Sequence, residues 1–144
     1  VDKFIGDAIL AIFGAPFPRE DDPLRAVKTA LLMQQKSKEL EDRWRARGED
    51  VVFRIGIGIN TGSAVVGNIG APDRINYTCI GDAVNVGARL EAATRKVDAG
   101  ILISASTYQQ VKEHFECQKI KGLQVKGKKQ PLTVYKVIAA TETI

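Results

Sequence analysis

The sequence predicts an α/β or α+β sandwich around a single mixed sheet, and three observations carry that expectation. Two apolar segments joined only by Gly6-Asp7 read as a tight β-hairpin. Two stretches, from Asp22 and from Asp82, have the marks of helices. A final stretch, Glu116 to Ile138, alternates like a second hairpin. Strand and helix signals therefore interleave along the chain, the pattern of helices packed on a sheet.

In chain order, Val1 to Ile5 and Ala8 to Phe13 are the strands of the first hairpin, because tight turns favour residues that accept positive φ. Pro16 and Pro18 break the chain. Asp21-Asp22-Pro23 then starts a helix, with a capping carboxylate and a proline near its first turn. Leu24, Val27, Leu31, Leu40 and Trp44 fall at helical spacings to about Arg47, and Gly48 ends the helix. Phe53 to Asn60 is a strand with Ile55, Ile57 and Ile59 on a core face. Gly56 and Gly58 lie on the other face, where a backbone or a ligand can come close. Thr61-Gly62 turns the chain into Ala64 to Gly67, a loop covers Asn68 to Arg74, and Ile75 to Ile80 is a short strand. Asp82 to Lys96 is the second helix and Ile101 to Ile103 a buried strand. Ser104 or Ser106 starts a short helix through His114. In the closing hairpin, Gly127 and Pro131 lie near the turn.

Composition bounds the function. At 144 residues the prior is one domain, 1–144, and 44% hydrophobic with 26% charged residues is enough for a real core. No apolar run approaches the roughly 20 residues that span a bilayer, so no direct membrane contact is expected. No signal peptide is visible, and the chain opens inside a strand, as expected of a fragment. The net charge of +4 suits a phosphate ligand without selecting one. The basic residues are spread out apart from Lys119 to Lys129, and no strand carries aromatic stacking motifs, so no nucleic-acid partner is expected. Cys79 and Cys117 have neither metal-ligand nor disulfide spacing, which points to a reducing, cytoplasmic setting. His114, the single histidine, has no nucleophile near it in sequence and reads as a surface residue.

Two runs hold residues suited to chemistry. In Lys3-Phe4-Ile5-Gly6-Asp7, the Asp7 carboxylate projects from a turn, where it could hold Mg²⁺ or serve turn chemistry alone. In Thr78 to Arg89, a helix from Asp82 makes Asn85 and Arg89 i,i+4 neighbours. Asn is a poor residue for a helix interior, so a role beyond propensity is indicated. An amide beside a guanidinium can orient a sugar and clamp a phosphate; a solvated face with an incidental pair fits the same spacing.

Together these runs resemble the class III nucleotide cyclase catalytic domain of the bacterial adenylate cyclase type. Thr61-Gly62, Val65 to Gly70, Arg74, Val125-Lys126-Gly127, Pro131 and Val134-Tyr135 are also similar to that family, so the resemblance spans nearly the whole chain. It implies a ferredoxin-like βαββαβ α+β sandwich with a C-terminal hairpin, here without its first strand and helix. It implies a homodimer with head-to-tail shared sites, ATP as substrate and two Mg²⁺ or Mn²⁺ ions. In-line attack of the ribose 3′ oxygen on the α-phosphorus would give 3′,5′-cyclic AMP and pyrophosphate. Carried over by position, Asp7 is a metal ligand, Lys3 and Thr78 read the base, Asn85 orients the ribose and Arg89 stabilises the α-phosphate. Lys126 would contact the terminal phosphates. Arg74 is either a phosphate neighbour or a structural loop residue. Lys with Thr suits the N1 acceptor and N6 donor of adenine, whereas family members that use GTP typically carry Glu and Cys there.

One departure stands out. The family's first metal Asp precedes the stretch that begins at Val1, and Asp2 neither matches the motif nor shares the Lys3 face of its strand. The expectation is therefore an adenylate cyclase domain whose 144-residue stretch alone is silent. The rival is a non-catalytic cyclase-homology module that dimerises or binds nucleotide without turnover.

Overall fold

A computed structural model of the chain describes residues 3–5, 7–15, 17–50, 52, 54–69, 76–123 and 132–141. The first two strands are β1 (Lys3–Ile5) and β2 (Ala8–Leu10). They pair antiparallel with Ile5 opposite Ala8, so the connection is the two residues that the sequence marks as the turn. β2 stops at Leu10 rather than Phe13. Leu10 pairs with Lys3, and the backbone after it bends through Gly14 at φ +108°.

Helix α1 (Asp22–Ala46) begins where Asp-Asp-Pro places it and gives way to Gly48 at φ +82°. The capping carboxylate acts differently from the expectation. Asp21 holds the N-cap position without a side-chain cap bond. The neighbouring Asp22 accepts a hydrogen bond from the Arg19 backbone N–H at 2.7 Å and pairs with the Arg25 guanidinium. These contacts, the Arg19 N–H first, hold the Asp22 carboxyl below the usual carboxylate range. The tie is present at neutral pH and is lost as the pH falls through that lowered value.

The strand expected over Phe53 to Asn60 is shorter: β3 is Ile57–Ile59, paired in parallel with β6 (Ile101–Ser104). Ahead of β3 a side chain replaces the ladder. Gln34 of α1 donates to the carbonyls of Ile55 (2.8 Å) and Gly100 (3.0 Å), tying the helix to the entries of both strands. Gln34→Ala removes both bonds, and we expect a stability loss of about 1–2 kcal/mol, read as a lower urea midpoint at unchanged slope; an unchanged midpoint would show that water replaces the amide at no cost.

Strand β4 (Val65–Ile69) and strand β5 (Asn76–Ile80) form an antiparallel ladder from Val65–Ile80 to Ile69–Asn76. The loop expected from Asn68 therefore starts later, since Asn68 and Ile69 are part of β4. Helix α2 (Asp82–Ala93) ends three residues before Lys96, where the Thr94 hydroxyl takes the Glu91 carbonyl at 2.5 Å. Helix α3 (Ala105–Val111) is capped by Ser104, whose hydroxyl accepts from the Thr107 N–H; it stops short of His114, which is half-buried in the following turn rather than fully on the surface. Strands β7 (Phe115–Leu123) and β8 (Leu132–Ala140) form the closing hairpin; Gly127 and Pro131 lie outside the described residues.

Among the described residues the strands form three sheets rather than one. Four strands make a mixed sheet in the order β3-β6-β8-β7, while β1–β2 and β4–β5 are separate two-stranded ribbons. Each ribbon is a local hairpin, which closes at small entropic cost without a further partner. The order β1, β2, α1, β3 is the ββαβ part of the expected βαββαβ arrangement. Alternation along β6 and β8 sorts the core. Ile101, Ile103, Tyr135 and Val137 pack with Val27 and Ala30 of α1 and with Val111 of α3. Leu102 and Val134 meet Leu90 and Ala93 of α2 on the opposite face. The result is an α+β sandwich with α1 and α3 on one side of the sheet and α2 on the other. Fully burying one such aliphatic side chain contributes on the order of 1.5–3 kcal/mol. No helix among the described residues is long and apolar enough to cross a membrane.

The glycine face of β3 is taken by a helix backbone. A Cβ at Gly58 would lie 2.3 Å from the Glu91 nitrogen and 2.4 Å from the Gly87 oxygen. One at Gly56 would lie 2.2 Å from the Thr94 hydroxyl oxygen. Two missing side chains thus let α2 rest directly on the strand.

Candidate active site

Asp7 stands exposed in the turn between β1 and β2. Lys3 opens β1 opposite Leu10, at the far end of the same hairpin. Asp7 makes a turn carboxylate accessible to solvent and to a ligand. Among the described residues no three His, Cys, Asp or Glu side chains gather as a metal site. The Asp7 carboxylate fits one hard cation that draws further ligands from phosphate oxygens and water.

The second group is built on β5 and α2. Thr78 sits on β5 directly opposite Gly67 of β4. A Cβ at position 67 would meet no atom of a described residue within 4 Å, so among the described residues the ladder has open space beside that pair. Gly81 then turns the chain into α2 at φ +141°, a conformation that L side chains rarely adopt. The helix carries Asn85, exposed, and Arg89, half-buried, one turn apart. At 100° per residue these two positions lie about 200° around the helix from Ala83 and Gly87, which face β3 and the segment after it. Neither side chain forms a hydrogen bond or ion pair with a described residue. An amide and a guanidinium side by side, without partners among the described residues, are donors available to an external acceptor.

The structure therefore assembles Thr78, Asn85 and Arg89 on adjoining elements, with α2 packed against β5. It keeps Lys3 and Asp7 apart from them: among the described residues, no packing comparable to that of α2 on β5 joins β1 or β2 to β5 or α2. Arg74 and Lys126 lie outside the described residues. Cys79 is buried and Cys117 half-buried, and neither forms a disulfide. Burial pushes the Cys117 thiol above its ordinary value, with a smaller push from Glu116, so it is a poor nucleophile at neutral pH. Open Gly67 and strained Gly81 were not singled out by sequence spacing, because neither glycine breaks the strand–turn–helix pattern in which it sits.

Comparison with known proteins adds the following. Residues 3–139 match the family model for the adenylate and guanylate cyclase catalytic domain. The chain is 39% identical over 145 aligned residues to an adenylate cyclase of Anabaena cylindrica, covering 96% of this chain and 28% of that protein. It is 31% identical to adenylate cyclase 1 of Rhizobium meliloti over 99% of this chain and 21% of that protein. It thus spans roughly a quarter of the curated relatives it matches. Among solved structures it is similar to the adenylyl cyclase CyaB from P. aeruginosa, with a TM-score of 0.91 at 38% identity, over 99% of this chain and 73% of that one.

Proposed function

Because the chain belongs to the adenylate and guanylate cyclase catalytic domain family, we propose that residues 1–144 belong to one catalytic domain that, in the full-length protein, converts ATP to 3′,5′-cyclic AMP and pyrophosphate. The observation that carries this reading is the division of the candidate residues. Asp7 stands in the β1–β2 turn, at the opposite end of that hairpin from Lys3, and Thr78, Asn85 and Arg89 lie on β5 and α2, with no packing comparable to that of α2 on β5 joining them to β1 or β2 among the described residues. Two such halves complement each other when two copies meet head to tail, so the working unit of this reading is a homodimer with shared sites.

In that site Lys3 donates to the adenine N1 acceptor and the Thr78 hydroxyl accepts from the N6 amino group. Asn85 of the same copy orients the ribose, its Arg89 lies against the α-phosphate, where negative charge grows as the 3′ oxygen approaches, and Asp7 comes from the second copy. The new bond joins the 3′ oxygen to the α-phosphorus. The bond from that phosphorus to the bridging oxygen breaks, pyrophosphate leaves and the 3′ hydroxyl proton passes to solvent. Lys126 meets the terminal phosphates and Arg74 flanks them. Asp7 would help hold a Mg²⁺ or Mn²⁺ ion of a two-ion site, which lowers the pKa of the 3′ hydroxyl and offsets phosphate charge. Most of the acceleration in such a reaction is positioning and charge stabilisation, because the nucleophile arrives with the substrate. The reading places the reaction in the cytoplasm.

The family name covers both purine substrates, so the choice of base rests on Lys3 and Thr78. We expect the full-length protein that contains this chain, supplied with Mn²⁺, to make cyclic AMP from ATP in preference to cyclic GMP from GTP. The double variant Lys3→Glu with Thr78→Cys should move the preference toward GTP. Faster turnover of GTP by the unaltered protein would sink the base-reading pair. Binding of ATP with no product from either nucleotide would leave a non-catalytic module in place of an enzyme.

A further inference from the structure

We infer that Asn60 is a positioning residue that sets the place of α2, and through it of Arg89. The inference rests on the catalytic role given to Arg89 above. Asn60 follows β3 directly, and its side chain bridges two parts of the molecule. Its Nδ2 donates to the carbonyl of Ala83, in the first turn of α2, at 2.9 Å. Its Oδ1 accepts from the Ser106 hydroxyl at 3.3 Å. The two bonds agree on one orientation of the amide, since a flipped amide would set oxygen against the Ala83 oxygen.

The far end of the bridge is firmly held. The single Ser106 hydroxyl hydrogen is shared between Asn60 Oδ1 and the nearer Thr61 carbonyl at 2.7 Å, and its oxygen accepts from the Ser104 hydroxyl at 2.9 Å. Thr107, which is fully buried, bonds Thr61 at 2.8 Å and Ser104 at 3.1 Å. Strand β6, helix α3 and the segment after β3 therefore form one polar anchor, and Asn60 extends it to α2. The near end is closely fitted. A Cβ at Gly62 would lie 3.1 Å from the Ala83 Cβ, and one at Gly87 would lie 4.0 Å from the Asn60 Cβ. Helix α2 has no side-chain cap bond from its N-cap Gly81, so this tether adds a side-chain tie to the first turn that the cap residue does not supply. Asn85 lies two residues past Ala83, and Arg89 six. An error in how that turn is placed is carried along the rigid helix to the guanidinium.

The test uses the full-length protein with four variants: Asn60→Asp, Ser106→Ala, Arg89→Ala and the double variant of Asn60→Asp with Arg89→Ala. Asn60→Asp keeps the volume and the acceptor but turns the donor into an oxygen that repels the Ala83 carbonyl. It should lower kcat by about 10²-fold, the scale of a misplacement near 1 Å, with KM for ATP nearly unchanged. Ser106→Ala, the gentler variant, should act in the same direction by less. The amides of Val84 and Asn85, which bond the Gly81 carbonyl, should exchange hydrogen faster while those of β7 and β8 do not. The double variant should be no slower than Arg89→Ala alone, because the tether acts through that residue. Losses that multiply in the double variant would overturn the proposal. So would full kcat in Asn60→Asp and Ser106→Ala beside a crippled Arg89→Ala. An unimpaired Arg89→Ala also overturns it, and places the fault in the catalytic assignment rather than in the tether.

Discussion

Arg89→Ala in the full-length protein lowers kcat by about 10²–10³-fold, the usual cost of losing one transition-state charge donor, and leaves KM for ATP little changed. Arg89 is half-buried on α2 with no hydrogen bond or ion pair to a described residue. Its guanidinium is thus available to charge that develops on the substrate. A donor that meets more charge in the transition state than in the ground state acts on kcat rather than on KM. Kinetics at saturating Mn²⁺ and varied ATP distinguish the cases; a raised KM at full kcat would reduce Arg89 to a binding residue. The same variant tests the division of the site. Asp7→Ala should be as impaired, because Asp7 stands in the other half. A mixture of the two should form heterodimers in which one site is intact and one carries both changes, and activity should return. If both variants still dimerise and the mixture stays silent, the shared-site arrangement is wrong.

How much of this was legible in the sequence depends on the range of the interactions involved. The β1–β2 turn was readable to the residue, because a two-residue connection is a local feature with few solutions. The start of α1 was readable from Asp-Asp-Pro, but the partner of its carboxylate was not. The sequence offers two adjacent Asp residues, and only the fold of the preceding loop brings the Arg19 N–H to Asp22. Strand β3 was read too long because apolar alternation continues to Ile55, while the tertiary donor that takes the Ile55 carbonyl is Gln34, 21 residues earlier. Asn60 and Thr107 gave no signal, and Thr61, Ser104 and Ser106 signalled a turn and a helix start rather than the bonds between them. Their bonds join positions about 45 residues apart and follow no helix or strand period. In the candidate site, resemblance supplied the residues and the fold supplied their grouping. Spacing alone makes Asn85 and Arg89 neighbours on a helix, but cannot show that, among the described residues, the hairpin that carries Asp7 lacks packing on that helix comparable to that of β5.

Gly58→Ala should be the most damaging single methyl group that can be added to this chain. The new Cβ would meet three backbone atoms of α2: the Glu91 nitrogen at 2.3 Å, the Gly87 oxygen at 2.4 Å and the Leu90 carbonyl carbon at 2.9 Å. Side-chain rotation cannot relieve contacts with backbone, so the helix must retreat by about 1 Å to regain ordinary van der Waals distance. That retreat opens the cluster in which Leu90 and Ala93 pack on Leu102 and Val134. Overpacking of this kind costs about 3 kcal/mol, which lowers Tm by roughly 10 °C for a chain of this size. Activity should fall further than stability explains, since the displaced helix carries Asn85 and Arg89. Gly67→Ala is the matched control: its Cβ would have no atom of a described residue within 4 Å, and its stability should stay close to that of the unaltered protein. Calorimetry on the two variants gives the answer directly. Equal melting temperatures would mean that α2 does not rest on β3 through Gly58, and that the platform under the candidate site has another construction.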